Sequence, residues 1–151
     1  MGVEIRNKNG EIIHQGSDSH NFGDLDLRDA VLEGVILQGA YFADTNLAGA
    51  NLRGADLYWA SFFMANLTGA DLENAQLQGS NLQETNLTNA NLRNANLGRD
   101  NLGGSTQLQG ARLEGARLDG ANLEGAEYDA ETTLPKTFDP HRHKMVFKTP
   151  R

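Results

Sequence analysis

Residues 50–75 read ANLRGADLYWASFFMANLTGADLENA, and the beat inside them decides the fold: Leu52, Leu57, Phe62, Leu67 and Leu72 stand five apart, each with Ala two positions before it. Followed outward, the same beat runs unbroken from Phe22 to Leu102. After one extra residue within 103–107 it resumes at Leu108, Leu113, Leu118, Leu123 and Tyr128. A helix is excluded, because five steps of about 100° turn each Leu by about 140° and scatter the set around the cylinder. In an extended segment, residues two apart point to one side, so Ala and Leu face inward while the Asn, Asp or Arg between them faces out. The next Ala comes three after the Leu, which breaks the alternation and requires a corner in between. Gly fills the second corner position in half of the repeats, including Gly34, Gly49, Gly54 and Gly69, as a turn with positive φ asks. Asn74, Asn89 and Asn94 tolerate the same conformation.

Ala50-Asn51-Leu52-Arg53-Gly54, Ala70-Asp71-Leu72-Glu73-Asn74 and Ala121-Asn122-Leu123-Glu124-Gly125 resemble the A-(D/N)-L-x-x motif of the pentapeptide repeat family, over residues 20–130. The resemblance implies an all-β fold, a right-handed quadrilateral parallel β-helix with four repeats per coil. Twenty-two repeats then make about 5.5 coils, a short rod of roughly 26 Å at the strand spacing.

Three segments follow. Residues 1–19 form an amino-terminal cap, two short strands around the Asn9-Gly10 turn. Residues 20–130 are the β-helix, with a one-residue insertion near 103–107. Residues 131–151 lose the period and gain Pro135, Pro140 and Pro150, so they make an irregular cap or tail, closing the last coil through Leu134, Phe138, Met145 and Phe147. The tail is basic: residues 1–131 carry a formal charge of −11 and residues 132–151 one of +4. Asp100 stands where Ala should point inward. The neighbouring extra residue frees backbone N–H groups to satisfy its carboxylate in a local bulge at Asp100–Ser105.

Composition removes function classes. With no Cys in 151 residues there is no disulfide, thiolate nucleophile or thiolate metal site. His141 and His143 lack a third ligand nearby, and His14 and His20 read as cap or first-coil residues, so no metal and no cofactor is expected. Outward carboxylates such as Asp71 and Glu73 lie on a solvated face that does not raise a pKa, and no His is placed to activate a Ser or Thr. A non-enzyme is expected. No apolar run reaches membrane-spanning length and the amino terminus lacks a signal-peptide pattern, which predicts a cytoplasmic protein with no membrane partner.

Two outward features remain. Phased four to a coil, Tyr41, Tyr58, Trp59, Phe63 and Met64 occupy positions that Gly and polar residues usually hold, an aromatic patch that predicts a protein partner or a homodimer contact. Asp24, Asp44, Glu84 and Glu124 phase onto the face of Phe42 and Phe62 without basic neighbours. Family members that protect DNA gyrase from quinolones are described as DNA-shaped, so the resemblance implies an alternative: a DNA mimic that binds a type II topoisomerase. The charge of −11 falls short of the roughly 15 that duplex DNA carries over 26 Å. Direct nucleic-acid binding is not expected of such an acidic column, and a purely structural unit is the third reading. Val31 and Ile36 also phase outward and are expected to be buried by the amino-terminal cap.

Overall fold

The computed structural model describes residues 2–17 and 20–150. The boundary expected between 19 and 20 therefore falls at the edge of the described residues. Strands β1 (Val3–Arg6) and β2 (Ile12–Gly16) pair antiparallel, with Ile5 opposite His14 and a bulge between Ile5 and Arg6. Asn7 closes the turn: its Oδ1 accepts the N–H groups of Asn9 and Glu11, each at 3.0 Å. The hairpin docks on the first coil through an antiparallel bridge between Asn7 and Ala30, with the Val31 N–H donating to the Arg6 carbonyl at 2.8 Å.

From Asn21 onward the chain climbs in coils of 20 residues, since Asn21 bridges Tyr41, Asn46 bridges Asn66 and Asp71 bridges Asn91, all in parallel. Five residues per side and 20 per coil make four sides. Side 1 stacks Phe22, Phe42, Phe62, Leu82, Leu108 and Tyr128. Side 2 stacks Leu27 to Leu113, side 3 Leu32 to Leu118 and side 4 Leu37 to Leu123, each through every fourth repeat. Almost every one of these centres is fully buried. Phe22, Phe42 and Phe62 form a stack with ring centroids 4.9 Å apart at both steps, and His14 of β2 meets the end of that stack edge-on. Where Thr replaces the small inward residue its hydroxyl is satisfied by the coil: Thr45 donates to the Phe22 carbonyl at 2.6 Å and Thr85 to that of Phe62 at 2.7 Å.

Each corner closes with the N–H three residues on donating to the carbonyl of the central Leu or Phe, as Ala50 does to Leu47 at 3.0 Å. The second corner residue has positive φ, as in Gly49 (70°) and Asn74 (61°). Trp59 (59°), Met64 (58°) and Glu84 (57°) hold the same conformation without being Gly.

The break differs from its expected form. Gln76 still bridges Asn96 at a step of 20, but Asn81 bridges Gln107 and Asn96 bridges Asn122 at a step of 26, so six residues are looped out, not one. Leu102 is 82% exposed and is no face centre. Asp100-Asn101-Leu102-Gly103-Gly104 imitates a repeat in sequence, but a carboxylate at the inward position cannot enter an apolar column. The repeats thus fill five full coils and side 1 of a sixth, and Thr133, bridging Arg112 in parallel, adds a rung on side 2, so the column still runs to about 5.5 coils; every repeat after Leu97 moves to a different side from the one expected.

Beyond Tyr128 the chain crosses the upper end of the column. Strand β3 (Glu127–Tyr128) receives β4 (Val146–Phe147) in parallel as a further rung of side 1. Met145 is buried there, Leu134 and Phe138 pack partly against the core, and Phe147 is half exposed with its ring edge-on to Tyr128. At the other end, the hairpin does not bury Val31 and Ile36, which remain 47% and 76% exposed. It covers the inner residues of the first coil and leaves the outward positions of sides 3 and 4 open.

Candidate functional site

The aromatic residues singled out by their phase stand around side 1 and the corner that leads into it. Tyr41 is 50%, Trp59 46%, Phe63 37% and Met64 53% exposed, so neither the tail nor the hairpin covers them. They do not make one cluster. Tyr41 lies back over Gly23 of the coil beneath, where an added Cβ would meet its ring at 2.8 Å. Tyr58 and Trp59 are in edge contact, with centroids 4.8 Å apart, and both lean up toward the looped-out segment. Phe63 and Met64 follow on side 1 and its corner.

Asp100 joins the loop to the aromatic pair, and this contact was not foreseen from the sequence. Its Oδ2 accepts the Trp59 indole Nε1–H at 2.7 Å, and its Oδ1 accepts the N–H groups of Leu102 (2.8 Å) and Gly104 (2.6 Å). The Tyr58 hydroxyl accepts the Asn101 N–H at 2.8 Å. The carboxylate does meet freed backbone donors, as the bulge requires, but outside the column. Gly79 makes room, since a Cβ there would meet Trp59 at 2.7 Å and Asp100 at 2.8 Å. The indole, reinforced by the two backbone donors, holds the Asp100 carboxyl below the usual range. The available signals were Asp in an Ala position and the Gly103-Gly104 pair. Nothing in the spacing pointed back 41 residues to Trp59.

The six-residue loop also redistributes charge. Asp24, Asp44 and Glu84 lie at the corner after side 1, as expected, but Glu124 does not: it is on side 4, with the Lys144 ammonium 4.0 Å away. Side 1 instead gains Glu127 and Asp129. Among the described residues, no Lys or Arg occupies an outward repeat position of side 1, and Lys148 reaches Glu127 only from the tail, at 3.5 Å. A groove of about 670 Å³ runs up this side from Phe63, past Gln83, Glu84, Gln109 and Asp129, to a wall formed by Lys148, Thr149 and Pro150.

Side 3 is the opposite case. The Arg53 guanidinium donates to Glu73 at 2.7 Å and to Asp71 at 3.2 Å, and Asn91 donates to the same two carboxylates. Arg53 first, and Asn91 next, hold the Glu73 carboxyl below its ordinary value. Among the described residues no group of three or more His, Asp or Glu could hold a metal, and no helix is long and apolar enough to cross a membrane.

The family model for pentapeptide repeats matches in eight copies over residues 26–62, 65–99 and 106–127, the gap after 99 falling on the looped-out segment. The chain belongs to the pentapeptide repeat family. Among solved structures it is similar to HetL of the cyanobacterium Nostoc sp. strain PCC 7120, a pentapeptide repeat protein involved in heterocyst differentiation regulation. The identity is 34% over 74% of this chain and 48% of HetL, with a TM-score of 0.70. It is also similar to Rfr23 of the cyanobacterium Cyanothece 51142, at 39% identity over 66% of this chain and 63% of that one, with a TM-score of 0.60. The chain thus spans about half of HetL and under two thirds of Rfr23. QnrB1, a plasmid-mediated fluoroquinolone resistance protein, aligns at 18% identity with a TM-score of 0.44. A comparison with curated protein sequences finds no match.

Proposed function

We propose that this pentapeptide repeat column is a non-enzymatic scaffold that binds a protein partner through side 1 and its leading corner. Trp59, Phe63 and Met64 form the contact, Tyr41 its lower rim, and Tyr58 the support of the neighbouring loop. The observation that carries the reading is that Trp59 and Met64 are large, exposed and held at positive φ in corner positions that Gly fills elsewhere. A non-Gly residue in that conformation costs about 1–2 kcal/mol. Exposed aromatics and Met are also what interface cores are built from. The right-handed sense of the coil, and the roles of residues 1–19 and 131–151 as end caps, belong to the same proposal; the hairpin bonds to the first coil and the β4 rung on the last support the capping roles.

The test is affinity capture from an extract of the source cells with wild type and with Trp59→Ser/Phe63→Ser, after far-UV circular dichroism has shown the two folds to be equal. The reading requires a prey that the double variant loses. A prey held equally by both variants contradicts it.

DNA mimicry toward a type II topoisomerase is the second reading, and the acidity of side 1 is what favours it. With Glu124 on side 4, five carboxylates remain over six rungs of about 4.8 Å, where duplex DNA would present about 14 charges. That reading predicts inhibition of supercoiling that weakens with added salt and with Asp44→Lys/Glu84→Lys. Unimpaired supercoiling at tens of micromolar protein removes it.

A further inference from the structure

The scaffold reading leaves the chemistry of the partner open, and side 1 narrows it. Above Phe63 the outward positions become a groove with Glu84, Glu127 and Asp129 on its rim and Gln83 and Gln109 along it, closed at the far end by Lys148, which lies 3.5 Å from Glu127 and neutralises that carboxylate. Glu84 is exposed at the corner and, like Met64 one coil below, holds the left-handed conformation in place of Gly. Gln109 donates its Nε2–H to Glu127 at 2.9 Å, while its Oε1 is buried and receives no donor. An exposed aromatic ring at the lower end, Phe63, and two rim carboxylates that pair with no cation among the described residues, Glu84 and Asp129, lie in one groove.

Resting on the proposed function, we propose that this groove takes an extended, basic segment of a different protein, with Lys or Arg side chains at Glu84 and Asp129 and an apolar side chain against Phe63 and Met64. The groove follows the column from the third coil to the sixth. Three spacings of about 4.8 Å give roughly 14 Å, the length of four or five extended residues. A second copy presenting its own side 1 is the wrong occupant, because that face carries carboxylates without basic repeat positions and would meet its own charge. A second copy's basic tail is already engaged: the Val146 N–H donates to the Ala126 carbonyl at 2.9 Å and the Lys148 N–H to that of Tyr128 at 2.7 Å.

The experiment is a fluorescence anisotropy titration of the full chain into a labelled decapeptide of alternating Arg and Leu, and into its Glu-Leu counterpart. Both are run with wild type, Glu84→Lys, Phe63→Ser and, as a charge control on side 3, Asp119→Lys. The basic peptide is expected to bind wild type and Asp119→Lys alike, to bind Glu84→Lys and Phe63→Ser at least about tenfold more weakly, and to weaken with salt. The acidic peptide is expected not to bind. Equal loss in Glu84→Lys and Asp119→Lys overturns the proposal, because it means diffuse attraction to an acidic protein. So does indifference to Glu84→Lys, or salt-independent self-association of the protein that Glu84→Lys does not change. A cellular prey lost with Trp59→Ser/Phe63→Ser but kept by Glu84→Lys leaves the scaffold reading standing and removes this one.

Discussion

Sides 1 and 3 are built on the same inward ladder and the same parallel rungs, and they treat charge in opposite ways. On side 3, Arg53 lies between Asp71 and Glu73, and Asn91 closes the set, so the face neutralises itself. On side 1 the acids stand beside exposed aromatics and Met, and the nearest cation, Lys148, comes from the tail. The repeat tolerates either choice, because the outward residues contribute little to what holds the column together. A face left apolar and unneutralised is therefore a property of the outward residues that the fold itself does not require.

The comparison can first be strained from the inside, where the two sides should be alike. Phe42→Ala removes the middle ring of the side 1 stack and is expected to cost about 3–5 kcal/mol, and Leu52→Ala on side 3 about 2–5 kcal/mol, read by urea denaturation. A loss below about 1 kcal/mol on one side only would show that the sides do not share their support. Next in size is the corner: Met64→Gly relieves the left-handed conformation and is expected to raise stability by about 1 kcal/mol while weakening partner capture. A stability loss would mean that Met64 packs for the column and not for a partner.

A local effect separates the loop from both sides. Trp59 is the only Trp in the chain, so its emission reports the Asp100 contact directly. The Asp100 pKa is depressed in the folded protein, so its contribution is present above the ordinary Asp value near 3.9 and is lost as pH falls through the lower folded value. Emission is expected to stay flat from pH 8 to about 5 and to change only below about 4, and Asp100→Ala should show the acid-form spectrum at neutral pH. A transition between about 5 and 8 would contradict the assignment. The smallest effect belongs to side 3: Arg53→Gln breaks solvent-exposed ion pairs and should leave the thermal midpoint nearly unchanged, at low and at high salt.

The repeat made most of the fold legible, since Leu and Phe at every fifth position, with Ala two before, allow little besides a cornered strand column. Trp59 and Met64 were legible as exposed for the same reason, since they interrupt positions where Gly and Asn are the rule, and Phe63 because it interrupts a position where polar residues are. The register above Leu97 was not legible. Leu102 falls on the beat, and a six-residue loop that contains an imitation repeat looks like a repeat and one stray residue. That shift alone moved Glu124 off side 1 and brought Glu127 and Asp129 onto it. The Trp59–Asp100 contact was hidden because it depends on how a loop folds back over Gly79. Val31 and Ile36 were expected under the hairpin, whose docking through Arg6, Asn7 and Lys8 bonds the Val31 backbone but leaves both side chains open.

The most direct test of the central claim, that the outward residues of side 1 form a protein-binding face, is capture from an extract of the source cells with three proteins of equal fold: wild type, Trp59→Ser/Phe63→Ser on side 1, and Arg53→Gln/Glu73→Gln on side 3. A prey is expected that the wild type and the side 3 variant hold and the side 1 variant loses. A prey lost from side 3 and kept by side 1 would contradict it.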